Sequence, residues 1–159
     1  MEMKQISPSF TASSQLTPAD VETAASAGFK AIINNRPDAE DEGQPASAEI
    51  EAAAASAGLA YTHIPVLGGQ IADADIDRFT KAMTAATGPV LGFCRTGTRS
   101  AMVWALSEAR HTGADALIGA AAAAGYDLSG LKPRLEARLQ SRAKAGGAPL
   151  AGGLPGKDA

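Results

Sequence analysis

The chain has 159 residues, 45% hydrophobic and 19% charged, a length and composition that suit one domain of α/β size. A formal net charge of −3, a sequence pI of about 5.3 and the lack of a basic stripe among aromatics argue against nucleic-acid binding. One cysteine excludes an intrachain disulfide, and no cysteine or histidine cluster has metal-ligand spacing, so we expect no metal and no other cofactor.

The N-terminal residues lack the positive-then-apolar order of a secretion signal. No segment approaches the roughly 18 apolar residues that a membrane-spanning helix needs. We therefore expect a cytoplasmic protein whose partners include neither a membrane nor a nucleic acid.

Turn and capping residues predict alternating helices and strands from residue 18 onward. Thr17-Pro18-Ala19-Asp20 supplies an N-cap, a first-turn proline and an early acid, and Gly28 ends this helix. The apolar runs 29–34, 61–66 and 89–93 are typical of short strands. The predicted order is helix 18–27, strand 29–34, helix 47–57, strand 61–66, helix 73–88, strand 89–93, and helices 100–112, 115–125 and 129–143.

This alternation predicts an α/β fold in a single domain, with a central, mostly parallel sheet flanked by helices. We assign residues 1–143 to a catalytic domain and 144–159, rich in Gly, Pro and Ala, to a disordered tail. Ligands of such sheets bind beyond the carboxyl ends of the strands. Segments 35–38 and 67–70 should therefore meet the loop that follows strand 89–93 at one rim.

That loop contains the only cysteine, Cys94, followed by the basic sequence Arg-Thr-Gly-Thr-Arg-Ser. Backbone N–H groups and the positive end of the dipole of the following helix favour an anion there. Cysteines at helix N-termini beside arginines are commonly thiolates and nucleophiles. The pattern therefore predicts a reactive, anion-binding cysteine.

The loop residues have distinct predicted roles. Gly97 lets the backbone turn its amides inward, since glycine reaches positive φ without steric cost. The planar guanidinium of Arg99 matches an oxyanion in two-point contact, and Arg95 draws an anionic substrate from solvent. Ser100 caps the helix or donates to the sulfur. The predicted site has Cys94 and Arg99 as catalytic residues, and Arg95, Thr96, Gly97, Thr98 and Ser100 as the anion-binding loop.

Arg36 and Asp38 follow the strand 29–34 and have two possible arrangements. Arg36 lies beside the anion, or the two side chains pair around Pro37 and stabilise the turn. The sequence leaves both open.

Other titratable residues have structural interpretations. Asp73, Asp75 and Asp77 could donate a proton, but their spacing is typical of a solvated first helical turn. His63 lies among apolar residues and is better explained as a core histidine.

The loop resembles the active loop of single-domain rhodaneses, often Cys-Arg-Ser-Gly-x-Arg-Ser, in which the cysteine carries a persulfide sulfur. The segments AGFKAIINNRPDAE, YTHIPV and DIDRFTKAM, with the helices after the loop, are similar to the phosphatase-like domain of beta-lactamase-hydrolase-like proteins. The similarity covers about residues 5–142, and that family resembles dual-specificity tyrosine phosphatases in fold. The resemblance implies a cysteine-phosphatase-like scaffold that carries a rhodanese-type loop between a strand and a helix.

Departures from the tyrosine-phosphatase pattern bear on the reaction. Those enzymes have five residues between cysteine and arginine, whereas four separate Cys94 from Arg99. They place histidine before the cysteine, where this chain has Phe93, and an aspartic acid in the preceding loop, where 67–70 has none. Without that acid, cleavage loses the ~10²–10⁴-fold typical of general acid catalysis. Sulfur transfer to a thiolate needs no such acid.

We therefore expect a rhodanese-type sulfurtransferase that forms a persulfide on Cys94 and passes it to an acceptor thiol. Its expected partners are a small anionic sulfur or phosphate substrate, the acceptor thiol and a sulfur-oxidising enzyme. The alternative is a tyrosine or dual-specificity-like phosphatase that forms a phosphocysteine, with Arg99 clamping the phosphoryl oxygens. A third hypothesis is a non-catalytic anion-binding module.

Overall fold

The computed structural model describes residues 1–147. The strands are β1 (Met3–Ser7), β2 (Phe10–Ser13), β3 (Ala31–Asn34), β4 (Ala60–His63) and β5 (Val90–Phe93). The helices are α1 (Pro18–Ser26), α2 (Ser47–Ala57), α3 (Asp73–Ala85), α4 (Thr98–Glu108), α5 (Ala114–Ala123) and α6 (Lys132–Gly147), with a 3₁₀ turn over Ser129–Leu131.

The strands of residues 1–147 form one sheet in the order β1-β2-β5-β3-β4. β5 runs parallel to both of its neighbours, β2 and β3, and β3 runs parallel to β4. Only the edge strand β1 is antiparallel within this sheet. The mostly parallel α/β fold predicted from the sequence is confirmed, and Cys94 directly follows β5, the central strand of the sheet.

The N-terminal hairpin of β1 and β2 was not predicted. β1 is mostly exposed and reads Met-Lys-Gln-Ile-Ser, which lacks the apolar alternation that identifies a strand. Its pairing with β2 is held by backbone bonds and by Ser7 Oγ, which accepts from the Phe10 amide at 3.1 Å. β2 matters for the site because it lies directly beside β5.

Two element boundaries near the site differ from prediction. β4 ends at His63 because Pro65 has no N–H to donate, although Val66 N–H still donates to Asn35 O at 3.1 Å. α4 begins at Thr98 and not at residue 100, because Gly97, with φ 100°, already ends the loop as the N-cap. Arg99, the second arginine of the loop, therefore lies in the first turn of α4.

The remaining helix ends also shift. α3 stops at Ala85, and its N-cap is Ala72, whose amide donates to the Asp75 carboxylate at 3.3 Å. Asp115 lies one residue inside α5, which Gly113 caps. α6 continues to Gly147, into the segment predicted as a tail, and the rest of that segment, 148–159, lies outside the described residues.

Apolar side chains cover both faces of the sheet and bury β5 between them. On one face Phe10 stacks on Trp104, with ring centroids 6.1 Å apart, and packs edge-on against Phe79 at 5.6 Å. Gly92 makes room for this cluster, since a Cβ there would lie 2.7 Å from the Phe10 ring. The other face buries Leu16, Val21, Ile32, Ile50, Leu91 and Phe93. Across residues 1–147, no helix has the length and apolar character needed to cross a bilayer.

Candidate active site

Cys94 leaves the carboxyl end of β5 between two neighbouring strands that hold its backbone. Its N–H donates to Ser13 O at 3.4 Å, and the carbonyl of Phe93 accepts from the Asn35 amide at 2.8 Å. Cys94 is 1% exposed. The core strand therefore determines where the sulfur lies.

The turn after Cys94 directs backbone donors towards the sulfur. Gly97 N–H donates to Cys94 Sγ at 3.1 Å, and Gly97 adopts a φ of 100° that side chains rarely tolerate. The first backbone N–H groups of α4 come directly after Gly97, and they have no acceptor within the helix. The loop thus places N–H groups and the positive helix end beside a thiol, as the sequence predicted.

Tyr126 packs beneath this turn. A Cβ added to Gly97 would clash with Tyr126 Oη, so the turn requires glycine for space as well as for conformation. Burial raises the pKa of Tyr126, and its proximity to Cys94 adds to the rise. Tyr126 is therefore a loop-supporting residue that local sequence around Cys94 could not reveal.

Arg99 extends from the first turn of α4 to an acidic side chain of another segment. Its Nη1 and Nη2 donate to Glu40 Oε2 and Oε1 at 2.8 and 2.9 Å, and Nη1 also donates to Val66 O at 3.0 Å. The Glu40 hydrogen bonds raise the pKa of Arg99, partial burial opposes the rise, and the proximity of Cys94 adds to it. The guanidinium thus lies within electrostatic reach of the sulfur.

Glu40 is shared between two arginines. Its Oε1 accepts from Arg36 Nε at 2.9 Å in addition to the Arg99 contact. The Arg99 hydrogen bond lowers the pKa of Glu40 from 4.5 to about 2, with Arg36 assisting and burial opposing. Glu40 therefore stays ionised at neutral pH.

Arg36 is a buried support for this pair, and neither arrangement expected from the sequence describes it fully. Arg36 is 3% exposed. Its guanidinium donates to Glu40, to Asp41 Oδ2 at 2.7 Å and to Gln15 Oε1 at 2.9 Å. Asp38 does not pair with it. The Asp38 carboxylate instead accepts from Ser47 N–H at 2.8 Å, at the start of α2.

The rest of the loop faces solvent. The Arg95 side chain is 66% exposed, and its Nε lies 3.3 Å from Asp41 Oδ2. The hydroxyls of Thr96 and Thr98 lie 3.2 Å apart at the exposed rim. These three side chains are available to an incoming anion.

Ser100 differs from its expected role. It neither caps α4, which begins at Thr98, nor donates to the sulfur. Its buried hydroxyl donates to Asn35 Oδ1 at 2.8 Å, while Asn35 Nδ2 donates to Ile64 O at 3.0 Å. Ser100 therefore ties α4 to the ends of two neighbouring strand segments.

The site includes four residues that were not predicted, Glu40, Asp41, Gln15 and Tyr126, and one, Asn35, that was expected at the rim but without a role. The available signal for the first two was the acidic run Glu40-Asp41-Glu42, which follows the strand end predicted to reach the rim. This run is negatively charged and was expected beside the positively charged cysteine loop. Opposite charges on two neighbouring segments favour ion pairs between them. No such signal exists for Tyr126.

The alternative acid and base candidates lie in structural contacts. The Asp73 side chain is 79% exposed and pairs with Arg134 and Arg138 at 3.1 and 3.3 Å. His63 Nε2 contacts Arg36 O at 2.8 Å. Among the side chains that the structure describes, those of residues 1–141, no cluster of three or more His, Cys, Asp or Glu could hold a metal ion.

A family model for the phosphatase-like domain of beta-lactamase hydrolase-like proteins matches residues 2–114, a span that includes the cysteine loop. The chain belongs to this family. A beta-lactamase hydrolase-like protein of Agrobacterium fabrum is 41% identical over 109 residues, which are 69% of this chain and 25% of that protein. The match thus spans about a quarter of that relative's length.

Solved structures share the fold. A candidate phosphatase from Neisseria meningitidis has a TM-score of 0.77 and 37% identity, covering 87% of this chain and 99% of its own. PTPMT1 in complex with PI(5)P has a TM-score of 0.69 over 89% of this chain and 98% of its own, at 14% identity, a likeness of fold alone. These comparisons favour a cysteine-dependent phosphatase or hydrolase and give no support to the sulfurtransferase expectation.

Proposed function

We propose that this member of the phosphatase-like family is a cysteine-dependent phosphatase acting on a small phosphate-containing anion. The observation that carries the proposal is the group formed by Cys94, the Gly97 amide and the Arg99 guanidinium at the start of α4. The family match and the Neisseria relative support it. We also propose a cytoplasmic location, because a reducing compartment keeps a lone reactive thiol reduced.

In this reaction the Cys94 thiolate attacks the phosphorus atom. An S–P bond forms while the P–O bond breaks, and the leaving oxygen takes the electron pair. Water then attacks the phosphocysteine, the S–P bond breaks, and inorganic phosphate and the thiolate result. The loop amides and Arg99 stabilise the charge on the phosphoryl oxygens in both steps.

The acids beside the loop in residues 1–147 are poorly placed to protonate a leaving group. Glu40 bonds to two arginines, and Asp41 lies between Arg36 and Arg95. The contacts with Arg99 and Arg36 lower the pKa of Glu40, which therefore has no proton to give. The proposed substrates are therefore phosphate esters whose leaving groups depart as stable anions, such as aryl phosphates.

The four-residue spacing between Cys94 and Arg99 favours a second candidate, the rhodanese-type sulfurtransferase. The thiolate would attack the outer sulfur of thiosulfate, and sulfite would leave with the electron pair of the broken S–S bond. An acceptor thiolate would then attack the persulfide and release Cys94. A sulfur-oxidising enzyme as partner belongs to this candidate only.

One experiment separates these functions. The purified protein and its Cys94→Ser variant are incubated with p-nitrophenyl phosphate or with thiosulfate, and phosphate release and intact mass are recorded. Cys94-dependent phosphate release without a persulfide supports the phosphatase. A gain of one sulfur that cyanide removes, without phosphate release, contradicts it in favour of the sulfurtransferase. If neither phosphate release nor a persulfide is observed, the non-catalytic anion-binding module is the remaining hypothesis.

A further inference from the structure

Glu40 occupies one of the two donor forks of Arg99. A guanidinium has five N–H groups, arranged as an Nη1/Nη2 fork and a parallel Nε/Nη2 fork. Glu40 fills the first fork, and Val66 O takes the remaining Nη1 hydrogen. Among residues 1–141, whose side chains the structure describes, no oxygen accepts a hydrogen bond from the second fork. These contacts thus leave the Nε/Nη2 fork of Arg99 free, and such a fork suits a bidentate oxyanion.

The position of Glu40 is itself determined by a buried scaffold. The Arg36 side chain is only 4% exposed, and it holds Glu40 while Gln15 and Asp41 hold Arg36. The Glu40 and Arg99 side chains are 25% and 15% exposed. A partly buried carboxylate fixed from behind orients a guanidinium better than a solvated surface partner does.

The backbone before Glu40 carries strain. Ala39 adopts a φ of 62°, which makes it the non-glycine residue with positive φ in residues 1–147. A left-handed alanine is unfavourable and persists only where surrounding contacts over-determine it. Asp38 is bound to the start of α2 on one side and Glu40 to two arginines on the other. The strained residue joins these two anchors.

We propose that Glu40 is a positioning residue that holds Arg99 with its Nε/Nη2 fork free for the oxyanion at Cys94. The proposal rests on the proposed function only in requiring that an anion binds the loop, which both candidate reactions share. The opposite role is a latch, in which Glu40 competes with the substrate for Arg99. The two roles differ in sign, because removing a latch strengthens anion binding and removing a positioning residue weakens it.

The test measures binding of inorganic phosphate by calorimetry in the Cys94→Ser background, where no turnover occurs. Glu40→Gln keeps the shape but loses the charge, and we expect phosphate binding about 10- to 100-fold weaker, the range for one lost charge-assisted partner. Glu42→Gln is the matched control, since it removes the same charge two residues away from an exposed side chain. We expect it to stay within about twofold of its parent.

A double-mutant cycle asks whether Glu40 acts through Arg99. In an Arg99→Lys background the Glu40→Gln change should weaken phosphate binding by less than about twofold, because lysine lacks the forks to be oriented. Glu40→Asp keeps the charge but shortens the reach, and it serves as the second variant if Glu40→Gln unfolds. We expect it to weaken phosphate binding as well, while circular dichroism shows that the protein stays folded.

Unchanged or tighter phosphate binding in Glu40→Gln overturns the proposal, as does an equal loss in the Arg99→Lys background. Failure of the Cys94→Ser parent to bind phosphate also overturns it. The proposed phosphatase is judged separately, by Cys94-dependent release of phosphate from p-nitrophenyl phosphate.

Discussion

Ser100 and Asn35 lie 65 positions apart and share a buried hydrogen bond of 2.8 Å, which joins the first turn of α4 to the end of β3. Each residue is 0% exposed. The loop that holds Cys94 is therefore anchored at its far end to the strand segment that also carries the buried Arg36. Geometry at the sulfur depends on this polar contact beneath it.

We expect Ser100→Ala to lower the free energy of unfolding by about 1–3 kcal/mol, because it leaves the side-chain Oδ1 of Asn35 buried without its donor. Urea denaturation measures the change. Ser56→Ala is the control, since Ser56 is an exposed serine in the last turn of α2. Equal effects of the two substitutions would contradict a structural role for the Ser100 contact.

Gly97→Ala should destabilise the fold by about 1–3 kcal/mol and abolish Cys94-dependent turnover, because alanine disfavours φ 100° and its Cβ clashes with Tyr126 Oη. Adding Tyr126→Phe should recover part of the stability, since it removes the clashing oxygen but not the strain. Gly119→Ala, on an open face of α5, should keep or slightly raise the thermal midpoint. A Gly97→Ala protein with wild-type activity would show that the turn needs no glycine.

The Glu40 interaction should make stability depend on acid pH. The pKa of Glu40 falls from 4.5 to about 2 in the folded protein, so its contribution is complete above about pH 4.5 and is lost as pH falls towards about 2. Urea midpoints of the wild type and Glu40→Gln should differ most near neutral pH and converge in strong acid. A difference that stays constant over this range would contradict the ionised pair as its source.

If leaving groups depart without a proton, turnover should depend steeply on their acidity. We expect kcat/KM for p-nitrophenyl phosphate to exceed that for phenyl phosphate by more than about 100-fold, within the range that a general acid supplies. Steady-state kinetics of both esters at one pH provide the comparison. A kcat/KM ratio near one would show that a group on the protein protonates the leaving oxygen. Asp41, at the rim of the loop, would then be the first residue to test.

Much of the fold followed from local patterns. Apolar runs between glycines and caps predicted β3, β5 and the bounds of α2, because a buried strand and a capped helix each leave a short-range signature. The N-terminal hairpin did not follow, since the exposed, polar β1 takes its conformation from pairing with β2. A strand determined by its neighbour has no signal of its own.

The same division holds for the site. The sequence by itself determined that a cysteine would end a strand and begin a helix with Gly97 and Arg99 beside it, because these residues are neighbours along the chain. Only the tertiary structure decided that Glu40 would bind Arg99, that Arg36 would support Glu40 from a buried position, and that Ser100 would bond to Asn35. Such contacts join residues distant in sequence, and they arise because parallel strands bring their carboxyl ends, and the charges that follow them, to one edge of the sheet.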